Sequence, residues 1–290
     1  MNPGVPYGEE EQVGVFSFSV LSEAEQRLPF YLVGAGCDFD QDRDPHTRPV
    51  GYPYYQWIQC YEGEGVLRLN GTEETVPPNY AMFLHPKVPH EYFPKTRPWR
   101  VHWFTFSGTG VAEVVKSVGL EESGVYGVGN GDILTDRIRY GLTRLVSKDP
   151  FHGMECSALV YDFLIDLMKY AHPRHDEPVE KKYERLSPAF DHIAENYHRV
   201  ITIDDLADSV DVTPQHFCRM FKRATGRRPF EYLNSYRIAR SKDLMIQKPE
   251  LTVAEVADRC GYESLSYFSS VFRKLEGMSA RHYRKLHGVG

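Results

Sequence analysis

The last hundred residues repeat themselves, and that constrains the fold more than any compositional figure. Phe217, Phe221, Gly226 and Tyr232 recur as Phe268, Phe272, Gly277 and Tyr283, each 51 positions on, and Leu206-Ala207 recurs as Val256-Ala257, 50 positions on. Two copies of one supersecondary unit must therefore stand in tandem, the second with one extra residue between its first and second helices. The unit reads as helix, short turn, helix. In the first copy Thr202 caps a helix from Ile203, with Asp205 set for a capping box; Ser209-Val210-Asp211-Val212 turns, and Thr213 caps a helix that opens on Pro214. In the second, Thr252 and Glu255 form the capping-box pattern, Cys260-Gly261-Tyr262-Glu263 turns, and Ser264 caps the next helix.

The second helix of each unit is two-faced. Phe217, Met220 and Phe221 share one side, which turns Gln215, Cys218, Arg219 and Lys222 outward; Phe268, Val271 and Phe272 leave Leu265, Ser266, Ser269, Ser270 and Arg273 outward. Such a helix fits a DNA major groove, with its early residues facing base edges. Arg219 can donate two hydrogen bonds to guanine and Gln215 can pair with adenine, while Lys222, Arg223, Arg227, Arg228, Arg273, Lys274, Arg281 and Arg284 suit phosphates. Charge supports this once the chain is divided: residues 1 to 182 carry net −9, residues 183 to 290 net +3, and residues 219 to 290 net +8, against −6 for the whole. Between the copies, a continuous helical pattern from Phe230 to about Ile246 spans about 25 Å at 1.5 Å per residue, a length suited to holding two reading helices close to one DNA turn apart.

These residues resemble the DNA-binding domain of the AraC/XylS family of bacterial transcription regulators. The resemblance covers about Leu186 to Lys285 and is most specific in Val256-Ala257, Gly261-Tyr262, Ser266-Tyr267-Phe268, Val271-Phe272-Arg273-Lys274, Gly277, Ser279 and Tyr283-Arg284. Ala280 departs from it, since the family usually has proline there; Pro229 holds the equivalent place in the first copy. The resemblance implies base-facing positions for Gln215, Cys218 and Arg219 in the first unit and for Leu265, Ser266, Ser269 and Ser270 in the second. The short side chains of the second set suggest weak readout or readout through DNA shape.

The front of the chain follows another rule. Val13–Leu21, Phe30–Gly36, Tyr55–Tyr61, Val66–Asn70, Thr72–Val76, Ala81–Leu84 and Arg100–Phe106 read as short strands separated by turn formers, with Asn70-Gly71 the clearest hairpin. Seven strands in under 100 residues suit a small barrel or sandwich. After Gly108 the period changes, and Val111–Val118, Ile133–Val146 and Ser157–Tyr170 read as amphipathic helices. Their apolar stripe must be covered, either by a second copy of the chain or by the barrel itself. Ala171 to Pro178, with two prolines and no apolar run, reads as a linker. The expectation is a multi-domain α+β protein: a barrel over 1–108, a helical dimerisation segment over 109–171, a linker over 172–184, and an all-α double helix-turn-helix domain over 185–290.

Aromatic residues make up 13 of the 56 positions from Gly51 to Phe106, and all three tryptophans, Trp57, Trp99 and Trp103, lie there. Aromatic walls with a few polar groups suit sugars, although large rings also fill small barrels. Pro86-x-x-Pro89-His90-x-Tyr92 followed by Trp99-x-x-x-Trp103-x-x-Phe106-x-Gly108 is similar to the cupin-like sensor domain of sugar-responsive members of the same family. That resemblance implies Tyr92 and Trp103 as pocket residues, with Glu62, His90 and His102 as polar candidates; His90 serves equally well as a structural hydrogen-bonding residue.

A cupin barrel also raises a metal enzyme with His85 and His90 as ligands. The strand Tyr55–Tyr61 has no histidine, and Asn79-Tyr80 stands where that fold's metal sites have a Gly-Asp turn, so no enzyme activity, cofactor or metal is expected. The five cysteines, Cys37, Cys60, Cys156, Cys218 and Cys260, are scattered and odd in number, which reads as reduced and mostly buried thiols. With no apolar run of about 18 residues and no signal segment, the expectation is a cytoplasmic protein with no membrane partner. Its partners are then double-stranded operator DNA, a small-molecule effector of sugar type, a second copy of the chain as homodimer, and RNA polymerase if it activates. A ligand-independent regulator whose front half only dimerises is the alternative.

Overall fold

The computed structural model describes residues 14–41, 45–174, 176 and 178–287, and the chain divides into two compact units, residues 1–180 and 181–290. In the first unit the order is β1 (Val15–Phe18), α1 (Glu23–Gln26), β2 (Tyr31–Asp40), β3 (His46–Arg48), β4 (Tyr55–Glu62), β5 (Gly65–Leu69), β6 (Thr72–Val76), β7 (Tyr80–Leu84), β8 (His90–Pro94), β9 (Arg100–Ser107), α2 (Val111–Ser117), β10 (Gly124–Val128), α3 (Gly131–Leu145), α4 (His152–Tyr170) and β11 (Ala171–Pro173). The strands form a seven-stranded sheet, β1-β2-β9-β4-β7-β10-β11, and a four-stranded sheet, β3-β8-β5-β6, with antiparallel pairing throughout.

Strand periodicity sorts the side chains into two cores. On β4, β7 and β9, Ile58, Cys60, Met82, Leu84 and Val101 meet Leu67, Leu69 and Tyr92 of the small sheet. Residues at alternate positions of the same strands, Trp57, Phe83, Phe104 and Phe106, point the other way, against Leu134 and Ile138 of α3 and Leu159, Phe163 and Leu167 of α4. The large sheet is thus covered on both faces, and its central strands read as nearly continuous apolar runs. Asn70 and Gly71 both take positive φ, 51° and 78°, as the β5–β6 hairpin requires.

Several elements differ from the expectation. The segment 109–171 is not a separate helical unit: β10 and β11 extend the large sheet, and the apolar stripe of α3 and α4 is buried against it. The expected linker over 172–184 is shorter, because β11 runs to Pro173 and α5 begins at Val179. Its two prolines mark element boundaries, Pro173 closing an edge strand and Pro178 preceding a helix. The strands β3 and β8 were hidden by flanking prolines, and the first expected strand is only Val15–Phe18, with Val13 outside the described residues.

The second unit holds α5 (Val179–Asn196, beginning two residues before the division), α6 (Ile203–Asp208), α7 (Pro214–Thr225), α8 (Pro229–Gln247), α9 (Val253–Arg259), α10 (Leu265–Glu276) and α11 (Ala280–Leu286). The capping boxes form at Thr202/Asp205 and Thr252/Glu255, while Thr213 and Ser264 accept from the backbones of His216 and Tyr267. The sequence repeat is a repeat of geometry. Phe217 and Phe221 lie 5.5 Å apart at 50°, Phe268 and Phe272 5.6 Å at 54°; Phe221 meets Tyr232 at 5.6 Å and 74°, Phe272 meets Tyr283 at 5.8 Å and 72°.

Candidate DNA interface and effector pocket

On α7 the burial of Phe217 and Phe221 fixes which side faces out: Gln215, Arg219, Lys222 and Arg223 are exposed and Cys218 is half-buried. On α10, Phe268 and Phe272 do the same for Leu265, Ser266, Ser269, Ser270, Arg273 and Lys274, all exposed. Ser269 Oγ donates back to the Leu265 carbonyl at 2.8 Å, so it presents its oxygen lone pairs outward as an acceptor. A cleft of about 1130 Å³ lies between the two helices, with Arg219 and Lys222 on one wall, Ser270 and Lys274 on the other, and Arg227 and Arg228 at one end. Basic side chains on both walls give this cleft a charge suited to a sugar-phosphate backbone.

Arg284 is employed differently from the expectation. Its guanidinium donates to the carbonyls of Leu251 at 2.6 Å and Pro249 at 2.5 Å, tying α11 to the loop before α9. Those carbonyls follow the end of α8, where backbone acceptors have lost their helical donors, and the guanidinium fork supplies them.

The five expected pocket residues separate. Tyr92, Trp103 and His90 lie between the two sheets, whereas His102, one position from Trp103, faces the helix layer, where it stacks on Tyr61 at 4.4 Å and its Nδ1 accepts the Asp38 N–H at 3.1 Å. Glu62 is at the surface, paired with Arg100 at 3.0 Å. Neither belongs to the interior constellation. Residues that sequence reasoning passed over do: Arg48 bonds to Gln56 Oε1 and lies 4.2 Å over the Tyr52 ring and 5.9 Å over the Tyr92 ring, Gln56 donates to Thr105 Oγ1 at 3.5 Å, and His46 stacks on Tyr92 at 5.0 Å. Gln56 and Thr105 face each other across β4 and β9 and are 6% and 2% exposed, so polar residues at inward positions of apolar strands were the available signal. Arg48 carried none, being on an unforeseen three-residue strand.

Trp103 lies flat across Gly36, its cross-strand partner, and meets Phe18 at 5.4 Å and Phe39 at 6.5 Å. His90 is buried. Its Nδ1 is 2.8 Å from the Val88 carbonyl, an acceptor only, so Nδ1 carries the proton and Nε2 is left as an acceptor; Nε2 is buried with no partner among the described residues. Burial lowers the His90 pKa, as it does those of His46, His85 and His102, and keeps the ring neutral. The interior thus offers a guanidinium, an amide, a hydroxyl and a neutral imidazole acceptor against Tyr92 and Trp103 rings.

His85 and His90 do not converge as metal ligands: His85 Nε2 is held by the Leu120 carbonyl at 2.8 Å, and among the described residues no three His, Cys, Asp or Glu side chains are placed to hold a metal ion. Cys37, Cys60, Cys156 and Cys260 are buried, which pushes each thiol up to about 11 and leaves it protonated; Cys218 is half-buried on α7. No described helix is long and apolar enough to cross a membrane.

Comparison with known families agrees with both halves. Residues 33–164 match the AraC-like ligand binding domain and residues 206–286 match a helix-turn-helix domain. The chain belongs to the AraC family. It is a DNA-binding transcriptional regulator of that family with a ligand-binding domain. The lactose operon transcription activator of Staphylococcus xylosus is 25% identical over 81% of this chain and 87% of its own length. The raffinose operon transcriptional regulatory protein of Pediococcus pentosaceus is 24% identical over 79% of this chain and 83% of its own. An uncharacterised helix-turn-helix regulator of Bacillus subtilis is 33% identical over 39% of this chain and 38% of its own. These relatives are all named as regulators of transcription. In this AraC-family chain the ligand-binding match takes in α3 and ends within α4.

Proposed function

We propose that this AraC-family regulator controls genes of carbohydrate use by binding a sugar between its two sheets. The observation that carries the reading is the cluster of buried Gln56, His90 and Thr105 with half-buried Arg48, on the inner side of the sheets that also carries Tyr92 and Trp103. A sugar offers hydroxyl groups that both donate and accept, together with C–H faces that stack on aromatic rings. His90 Nε2 supplies an acceptor, Arg48 supplies donors, and the two rings supply the walls. The lactose and raffinose operons named for its relatives support a saccharide over other polar ligands, and the first of those names supports activation, with RNA polymerase as the further partner.

In the same proposal the bases of operator DNA are read by Gln215, Cys218 and Arg219 on α7 and by Leu265, Ser266, Ser269 and Ser270 on α10, and phosphates are held by Lys222, Arg223, Arg273 and Lys274. The chain acts as a homodimer. Support comes from α3 and α4, whose inner stripe is consumed by the sheet but which leave Val146, Phe151 and Met154 each at least 65% exposed around their connection. Ligand changes how two DNA-binding units are disposed, a coupling of about 1–3 kcal/mol in typical cases.

The test is a thermal-shift screen of the purified chain against monosaccharides and short oligosaccharides, with and without the DNA upstream of its gene. One saccharide should raise the melting temperature, by about 2.7 kcal/mol of stabilisation at a hundredfold excess over Kd, and Trp103→Ala should abolish the rise. No shift with any saccharide, while upstream DNA is still bound, would favour a regulator whose front unit only dimerises.

A further inference from the structure

We propose that Asn234 is a positioning residue that fixes the angle between the two DNA-reading helices and thereby sets the spacing of the two half-sites the regulator accepts. The proposal rests on DNA being read by both α7 and α10. Asn234 lies on the connecting helix α8 and lines the cleft between the reading helices. Its Nδ2 donates to Tyr267 Oη at 3.0 Å, and its Oδ1 accepts from Tyr262 Oη at 3.1 Å. Tyr267 is the third residue of α10 and Tyr262 stands in the turn that leads into it. One amide thus holds both the entry to the reading helix and its first turn.

A second tie lies further along the same pair of helices, where Lys242 Nζ meets Glu276 Oε1 at 2.7 Å with both side chains half-buried. Asn234 and Lys242 are about 12 Å apart along α8, and Tyr267 and Glu276 about 13.5 Å apart along α10, at 1.5 Å per residue. Two attachments at that separation remove both the roll of α10 about its own axis and its pivot over α8, motions that apolar packing alone resists weakly. The first module meets α8 by other means: Phe221 packs on Tyr232 at 5.6 Å, and the buried Arg237 donates to the carbonyls of Tyr197 at 2.8 Å and Arg199 at 2.7 Å. Helix α8 is therefore a common frame, and Asn234 is its contact nearest the base-facing end of α10.

The consequence is a spacing rule. Moving one half-site by a base pair displaces it about 3.4 Å along the duplex and about 35° around it, since a turn holds 10–10.5 base pairs in about 34–36 Å. A fixed pair of helices cannot follow that displacement. A pair released at Asn234 can roll to meet it.

The experiment selects binders from a pool of random duplexes of about 40 base pairs, nearly four turns, using the full chain as wild type, Asn234→Leu and Tyr267→Phe, and sequences the bound fraction. The wild type should enrich two half-motifs at one spacing, preferring it over spacings one base pair longer or shorter by about tenfold or more, the size of a lost base contact. Both variants should enrich the same half-motifs with that preference reduced to about threefold or less. Tyr267→Phe keeps the ring and removes only the hydroxyl, so it decides the matter should Asn234→Leu not fold. Undiminished spacing preference in a folded variant overturns the role of Asn234. A wild type that enriches only one half-motif, or none, overturns the two-helix reading itself.

Discussion

Gly226, Gly261 and Gly277 share a left-handed backbone, with φ of 70°, 77° and 72°, yet a methyl group added to each meets different surroundings. At Gly226 and Gly277 there is nothing within 4 Å of the new carbon, whereas at Gly261 it would lie 2.4 Å from the Tyr197 carbonyl oxygen and 2.8 Å from an Arg237 guanidinium nitrogen. Gly277→Ala should therefore cost only the strain of an L-residue in that conformation, about 1–2 kcal/mol. Gly261→Ala adds an overpacking cost of about 1–3 kcal/mol, because the obstacle is backbone belonging to the loop between α5 and α6, and so totals about 2–5 kcal/mol. The first copy makes the contrast internally, for its equivalent turn residue is Asp211, at φ 53° and exposed. The assay is thermal unfolding of the three alanine variants followed by circular dichroism. For the unit of residues 181–290 the extra cost should appear as a melting temperature lower by about 4 °C or more in Gly261→Ala than in Gly277→Ala. Equal melting temperatures for those two would refute the close approach of the two helix-turn-helix modules and, with it, a common rigid frame.

Arg219→Ala should lower the preference for operator over random DNA by about 1–3 kcal/mol, while Arg273→Ala weakens both equally and reduces the salt slope by about one; equal loss on both sequences for Arg219→Ala would contradict base readout. Arg284→Gln should lower thermal stability, since two carbonyls lose their donors, and leave the salt slope of DNA binding unchanged. His46, His85, His90 and His102 all have lowered pKa values from burial, so the unfolded chain takes up protons below about pH 6.5 that the folded chain refuses. Stability of the first unit should be level above that pH and fall as pH drops through it, by up to about 1.4 kcal/mol per pH unit per histidine, with a smaller slope in His90→Gln. A melting temperature unchanged between pH 7.5 and 5.5 would show that these rings are not held neutral.

Sequence alone determined the tandem helix-turn-helix unit, because its information is local. Caps at Thr202, Thr213, Thr252 and Ser264, a left-handed stop at Gly226 and Gly277, and apolar residues at three- and four-residue steps act within one or two helical turns, and their repetition doubled each signal. The same period told which side of α7 and α10 faces outward. Tertiary structure decided what depends on residues distant in the chain. Alternation along β9 put Trp103 and His102 on opposite faces, but only the packing of the second sheet on one face and of the helices on the other made the Trp103 side an intersheet core that also holds Gln56 and Thr105, and the His102 side a helix-covered one. Arg48 joined Gln56 and Thr105 because a three-residue strand pairs with β8, a contact without local signature. Arg284 looked like a phosphate ligand because charge and exposure are inferred from composition, whereas the unfilled carbonyls of Pro249 and Leu251, more than thirty residues earlier, claim it once α11 folds back. Propensity and capping are written in neighbouring residues; which buried polar groups find one another is settled only when separate elements are brought together.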